Sequence, residues 1–218
     1  MNPEHLSRLR QGVYRLLGAG VSRPTSDLIE TASAAPGLFD EMGLFDFAYA
    51  GDLVDACEAL GAAGLEGLSV AYATMFETGV AGAACTPHES AFRADARTGQ
   101  VAEVVAELKR TVLRFGLQLE DAQRDMVDHL GTELEVMASL CRREGERRSQ
   151  DRSVDRVLAQ QMEFLEDHLL VWAPAYAQRV IESKDHAAYT AVASALVSFL
   201  ADERQIVPFL LATEEGAL

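Results

Sequence analysis

The feature that most constrains this chain is the spacing of its apolar residues, which follows a helical period almost from end to end. Between residues 101 and 115, Val101, Val104, Val105, Leu108, Val112 and Phe115 recur at three- and four-residue intervals, the signature of one buried helix face. Near the start, Leu6, Leu9, Val13, Leu16 and Leu17 do the same, after an Asn2-Pro3 pair suited to an N-cap and first helical position, and before Gly18 and Gly20. No run alternates with a period of two between hairpin turns, and no repeat period is visible. The expectation is an all-α fold, a single domain over residues 1–218 built as a bundle of about eight to ten helices.

The punctuation predicts where those helices stop. Pro36, Gly37, Gly43 and Gly51 break residues 35–52 into short turns. Helices are expected at about Asp52–Ala62, Leu65–Thr78, Val101–Phe115 and Asp125–Arg143. Others should cover Val154 to Val171, the stretch from Pro174 to Glu182, and His186 to Ala201. Residues 79–100 read as one long, ordered surface loop, and residues 203–218 as a tail interrupted by Pro208. A loop of that length inside a compact domain is usually functional or disordered.

Composition narrows the function. Of the 218 residues, 49% are apolar and 24% charged, and the formal net charge is −15. Such a balance disfavours nucleic acid, whose affinity comes from cations neutralising phosphates, and disfavours an anionic membrane surface. It suits a partner that carries basic residues. Cys57, Cys85 and Cys141 are three, far apart and without a CxxC, so reduced thiols are expected. With no signal-peptide pattern and no run of 18 apolar residues, the reading is a cytoplasmic protein without membrane insertion.

Candidate chemistry centres on "DHLGTELEVM", Asp128 to Met137. On a helix, Leu130, Leu134, Met137 and Cys141 share one apolar stripe, with His129 and Glu133 on its border and able to touch. Asp128 points away unless it precedes the helix. Three readings stand open: half of a metal site, an acid–base pair of a helical metal-dependent or small-molecule enzyme, or a boundary histidine bonded to its i+4 glutamate. The chain has no Glu-x-x-His, no H-E-x-x-H, no P-loop and no Gly-x-Ser-x-Gly. Neither a metal nor another cofactor is therefore expected. Taken alone, the helix favours the structural reading.

Four short motifs in order carry a resemblance. Tyr72 to Phe76 leads to Pro87-His88-Glu89-Ser90, then to Asp128, His129, Glu133, Leu134 and Met137, then to Phe164, His168, Leu169, Trp172 and Pro174. Over about Tyr72 to Tyr189 the chain resembles the TorD/DmsD/NarJ family of molybdoenzyme-specific chaperones. It departs from that pattern at His88, where the family often has tyrosine, at Met126-Val127, which replace a proline-containing lead-in, and at Val136, which replaces phenylalanine.

The resemblance implies a non-enzymatic protein, monomer or homodimer. Its partner would be the catalytic subunit of a molybdopterin enzyme, or that subunit's twin-arginine signal peptide, held until cofactor insertion. Glu89, Ser90, Asp128, His129 and Glu133 are the implied polar contacts. Phe76 and Trp172 are further candidates, with Trp172 as ready to pack in the core as to touch a partner. His129 is expected to bring pH sensitivity near neutrality. An interaction module unrelated to molybdoenzymes is the remaining alternative.

Overall fold

The computed structural model describes residues 2–41, 43–44, 47–77, 85–93, 100–118 and 126–215. Among these it is all-α: α1 Pro3–Gly20, α2 Ser26–Glu41, α3 Ala50–Tyr72, α4 Glu89–Arg93, α5 Gln100–Arg114, α6 Leu130–Arg148, α7 Asp155–Phe164, α8 Leu170–Ser183 and α9 Ala187–Glu215. Two π turns extend this set, Ala73–Glu77 after α3 and Leu165–Leu169 between α7 and α8. Parts of the expected long loop, residues 78–84 and 94–99, and the stretch 119–125 lie outside the described residues.

Helix α1 starts as its sequence predicts: the Asn2 side chain accepts from the Glu4 N–H at 2.9 Å, with proline at the first helical position. It packs antiparallel along α6, and glycine makes the approach close at both ends. A Cβ on Gly131 would stand 2.2 Å from Ser22 Oγ and 3.1 Å from the Gly18 carbonyl, and one on Gly145 would stand 2.8 Å from Ser7 Oγ. Helix α9, about 44 Å long at 1.5 Å per residue, packs against both α3 and α8. Phe199 on α9 meets Tyr14 and Tyr49 edge-on at 4.7 and 5.1 Å.

Several boundaries differ from expectation. Proline does not end α2 at Pro36 or α9 at Pro208. Proline removes one backbone bond and crowds the preceding turn, but burial on both sides outweighs that loss. Leu28, Ala32, Ala35 and Phe39 form a buried stripe through the first proline, and Leu200, Glu203, Val207 and Leu210 form one through the second. The expected tail is thus helix as far as Glu215. The expected break between two helices near residue 64 survives inside α3, where Gly64 takes φ 66°, ψ 168°. Ala50–Glu77 is long and apolar enough to cross a membrane by length and composition alone. Within it, Leu53, Ala56, Cys57, Leu60, Leu68 and Tyr72 are buried in the bundle, while Leu65 and Val70 are exposed.

A buried polar cluster crosslinks the bundle. Arg10 on α1 is fully buried; its Nε and Nη2 donate to the two oxygens of Glu203 on α9 at 2.7 and 2.8 Å. Its Nη1 donates to Glu144 of α6 at 3.1 Å and its Nη2 to Gln161 of α7 at 2.7 Å. Tyr14 donates to Glu203 at 2.7 Å and Gln161 to Glu144 at 3.0 Å. Every buried charge there has a partner, the condition for tolerating it.

Candidate functional site

The start of α6 lies five residues later than its sequence suggests, and that shift organises the site. His129 is the N-cap: its backbone is extended (φ −79°, ψ 134°) and its Nδ1 accepts the Gly131 N–H at 3.0 Å. The expected i+4 bond between His129 and Glu133 is not made. Glu133 faces inward, accepting the Trp172 Nε1–H at 3.1 Å. A cap residue leaves the helical path, so helix-wheel neighbours no longer meet.

Immediately before this cap, the backbone pairs with the segment leading into α4. The Glu89 N–H donates to the Asp128 carbonyl at 2.8 Å and the Leu130 N–H to the Pro87 carbonyl at 2.9 Å, an isolated antiparallel bridge centred on His88 and His129. Side chains reinforce it. Ser90 donates to Asp128 Oδ2 at 2.5 Å, and His88 Nδ1 lies 3.2 Å from Asp128 Oδ1. The His88 and His129 rings meet edge-on at 5.1 Å.

Beneath the bridge is a second cluster. Glu89 is fully buried; Arg93, four residues on, donates to its Oε1, and His168 Nδ1 lies 3.2 and 3.3 Å from its two oxygens. Glu133 is also fully buried, and its Oε1 has no hydrogen-bond partner among the described residues. Trp172 is core, packed against Phe92 at 5.4 Å and Tyr176 at 5.9 Å.

Burial and neighbours set the charges. Burial pushes the Glu133 carboxyl well above the usual carboxylate range, and Glu89 and Asp128 push the same way against the Trp172 hydrogen bond. Burial also acts to raise Asp128, but hydrogen bonds from His88 and Ser90 hold it below its ordinary value. Burial, aided by His88, lowers His129 to about 4, so the expected titration near neutrality is corrected: this imidazole is neutral there.

The solvent-facing side of the bridge is a groove of about 710 Å³. Tyr72 and Phe76, Pro87 and His88, Met126, and His129 with Gly131 line it, and Arg15, Arg23, Glu77 and Glu135 supply its charges. Arg23 and Glu77 pair across it at 2.6 Å. Of the residues singled out from sequence, Phe76 and His129 border this groove. Glu89, Ser90, Asp128, Glu133 and Trp172 are buried and engaged with one another behind it. Among the described residues no group of three or more His, Cys, Asp or Glu is placed to share a metal ion.

Sequence reasoning missed Arg93 and the Glu89–His168 contact, although Arg93 stands at i+4 from Glu89, a readable helical pairing. It also missed Arg15, Arg23 and Glu135, which no local pattern joins to the loop.

These motif positions coincide with a recognised family. The sequence profile described as "Nitrate reductase delta subunit" matches residues 45–178, more than half of the chain. The chain belongs to that family. Among characterised members, a selenate reductase assembly chaperone protein of Thauera selenatis is 33% identical over 123 residues, covering 56% of this chain and 61% of the relative. A chlorate reductase assembly chaperone protein of Ideonella dechloratans is 32% identical over 120 residues, 55% of this chain and 60% of the relative. The chaperone protein TorD of Vibrio parahaemolyticus is 25% identical over 93 residues, 43% of each chain. The chain thus spans about half of the family relatives it matches. No solved structure matches it.

Proposed function

We propose that this chain is an assembly chaperone and not an enzyme. It binds the catalytic subunit of a molybdopterin oxidoreductase in the cytoplasm, through that subunit's N-terminal or twin-arginine signal segment, before cofactor insertion and export. It acts as one domain without a cofactor of its own, as monomer or homodimer. The observation that carries this reading is the groove: Tyr72, Phe76, Pro87, His88 and His129, drawn from three of the four motifs, line one cavity of about 710 Å³. Membership of the family, and the names of the reductase assembly chaperones among its relatives, support the same partner class.

The chemistry fits a short peptide. Tyr72, Phe76, Pro87 and Met126 offer an apolar floor for alternate or helical anchors. Glu77 and Glu135, not the buried Glu89 and Glu133, are the carboxylates open to a basic peptide. The exposed Arg23–Glu77 pair is worth about 0–1 kcal/mol, so an incoming arginine displaces Arg23 at little cost.

The test is a native pull-down from soluble extract with partners identified by mass spectrometry. Recovery of one molybdopterin-enzyme catalytic subunit, lost with Phe76→Asp plus Glu77→Lys in a folded variant, is the expected result. Partners that carry neither a molybdopterin cofactor nor a twin-arginine segment would favour the unrelated interaction module.

A further inference from the structure

Glu133 poses a problem of hydrogen-bond arithmetic. Its Oε2 is satisfied by Trp172, while its fully buried Oε1 has no donor among the described residues. Ionised, it would be a buried negative charge with an empty acceptor, facing Glu89 on α4 and Asp128 at the foot of α6. The groups around the pair come from every element packed there. Arg93 and Glu89 lie on α4, Glu107 on α5 reaches Arg93 at 3.5 Å, His168 sits on the π turn, Trp172 on α8, and Asp128 and His129 precede α6. Arg93 is the cation bonded to the Glu89 carboxylate, and among the described residues no cation is paired with Glu133.

Resting on the chaperone reading for its meaning, though not for its geometry, this arrangement leads to a specific assignment. We propose that Glu133 is a positioning residue that works as a neutral acid: the hydrogen on its Oε1 is donated to the Glu89 carboxylate, and this shared proton clamps α4 against α6. The clamp sets the Pro87–His88 wall of the groove, because His88 and Glu89 are consecutive and the bridge to Asp128 and Leu130 runs through them. With it, every acceptor in the cluster is filled: Glu89 receives Arg93, His168 and Glu133, and His168 carries its hydrogen on Nδ1. An unfilled buried carboxyl oxygen becomes a donor, which is the usual resolution for a buried acid. The strong upward push that burial and Glu89 exert on this carboxyl has the same sense.

A pH dependence of definite sign follows. The folded chain holds a proton that an unfolded glutamate releases above its ordinary value of 4.5. The contribution is therefore complete below that value and is lost as pH rises through the folded one, by about tenfold in the folding constant per pH unit within the window.

The experiment compares the full chain with Glu133→Gln and Glu133→Leu by denaturant unfolding from pH 5 to 8, with hydrogen exchange at the Glu89 and Leu130 amides. Glutamine reproduces the neutral acid, accepting from Trp172 and donating to Glu89. Its folding constant relative to wild type should rise about tenfold per pH unit, and it should keep both amides protected where leucine releases them. A ratio between the Glu133→Gln variant and wild type that does not change with pH would overturn the proposal, as would glutamine exposing the amides as fully as leucine. Infrared spectra of wild type should also contain a protonated-carboxyl stretch that Glu133→Gln removes; its absence at pH 7 would overturn the proposal even if the leucine variant fails to fold. None of these readouts uses a client, so failure of the chaperone reading would appear separately, as a missing partner in the pull-down.

Discussion

Two buried polar clusters occupy this bundle, and they are built on opposite terms. Around Arg10, two guanidiniums, Arg10 and Arg148, face two carboxylates, and with Tyr14 and Gln161 they bond all four carboxylate oxygens, although Arg148 Nη2 at the edge has no partner among the described residues. Around Glu89 and Glu133, two carboxyls share a smaller set of donors, one oxygen has none, and the cluster backs directly onto a groove. The first joins four helices with every carboxylate oxygen bonded. The second leaves one buried carboxyl oxygen without a donor among the described residues, beneath the groove, and that is informative because buried polar groups are otherwise nearly always paired.

Removing the cation should have the largest effect. Arg10→Met leaves Glu203 in the core without a cation, while Glu144 keeps Arg148 and Gln161, and should cost about 3–5 kcal/mol, read by urea unfolding. A loss below about 1 kcal/mol would mean that the cluster is wet and the contrast with the second one false.

Acidification addresses the groove side. His129 is neutral when folded, with its pKa lowered to about 4 from 6.5. A depressed folded value means stability present above the unfolded pKa and lost as pH falls, here on the order of 2–4 kcal/mol between those two limits. His129→Asn keeps a good cap and should flatten that slope; an unchanged slope would assign it to other groups.

Trp172→Phe keeps the ring and removes the donor to Glu133. It should cost about 1–3 kcal/mol, the range for leaving a buried acceptor unsatisfied, and a thermal melt will register it. Arg23→Ser is the smallest case. Its exposed pair with Glu77 should change stability by about 0–1 kcal/mol, while binding of an arginine-bearing peptide tightens; weaker binding would assign Arg23 a contact of its own.

The same contrast explains what was legible in the sequence. Helical faces could be read because each is a local pattern: Val104, Leu108 and Val112 are buried on α5 as their spacing predicts. The Arg10 cluster could not, since its partners stand 134 to 193 residues away, and an arginine inside an apolar stripe reads as a flaw in the stripe. The motif residues were found as a set, but their burial was not, because polarity suggested a surface. His129 was placed inside the helix since nothing local distinguishes a cap histidine from a first-turn one. The two π turns carry Phe76 and His168; a widened turn shifts the phase of every residue after it, and no periodicity in the sequence marks it.

Helices α1, α2 and α9 lie outside residues 45–178, the stretch matched by the family profile. Glu89, Arg93, Glu133, His168 and Trp172 all lie within it, whereas Arg10 and Glu203 do not. The shared stretch is therefore not a unit that can be excised. Cut free, it would present the glycine-lined face of α6 to water and leave Glu144 with Arg148 and Gln161 but without Arg10, and the part that carries most of the groove would lose the scaffolding that holds its own helices in register.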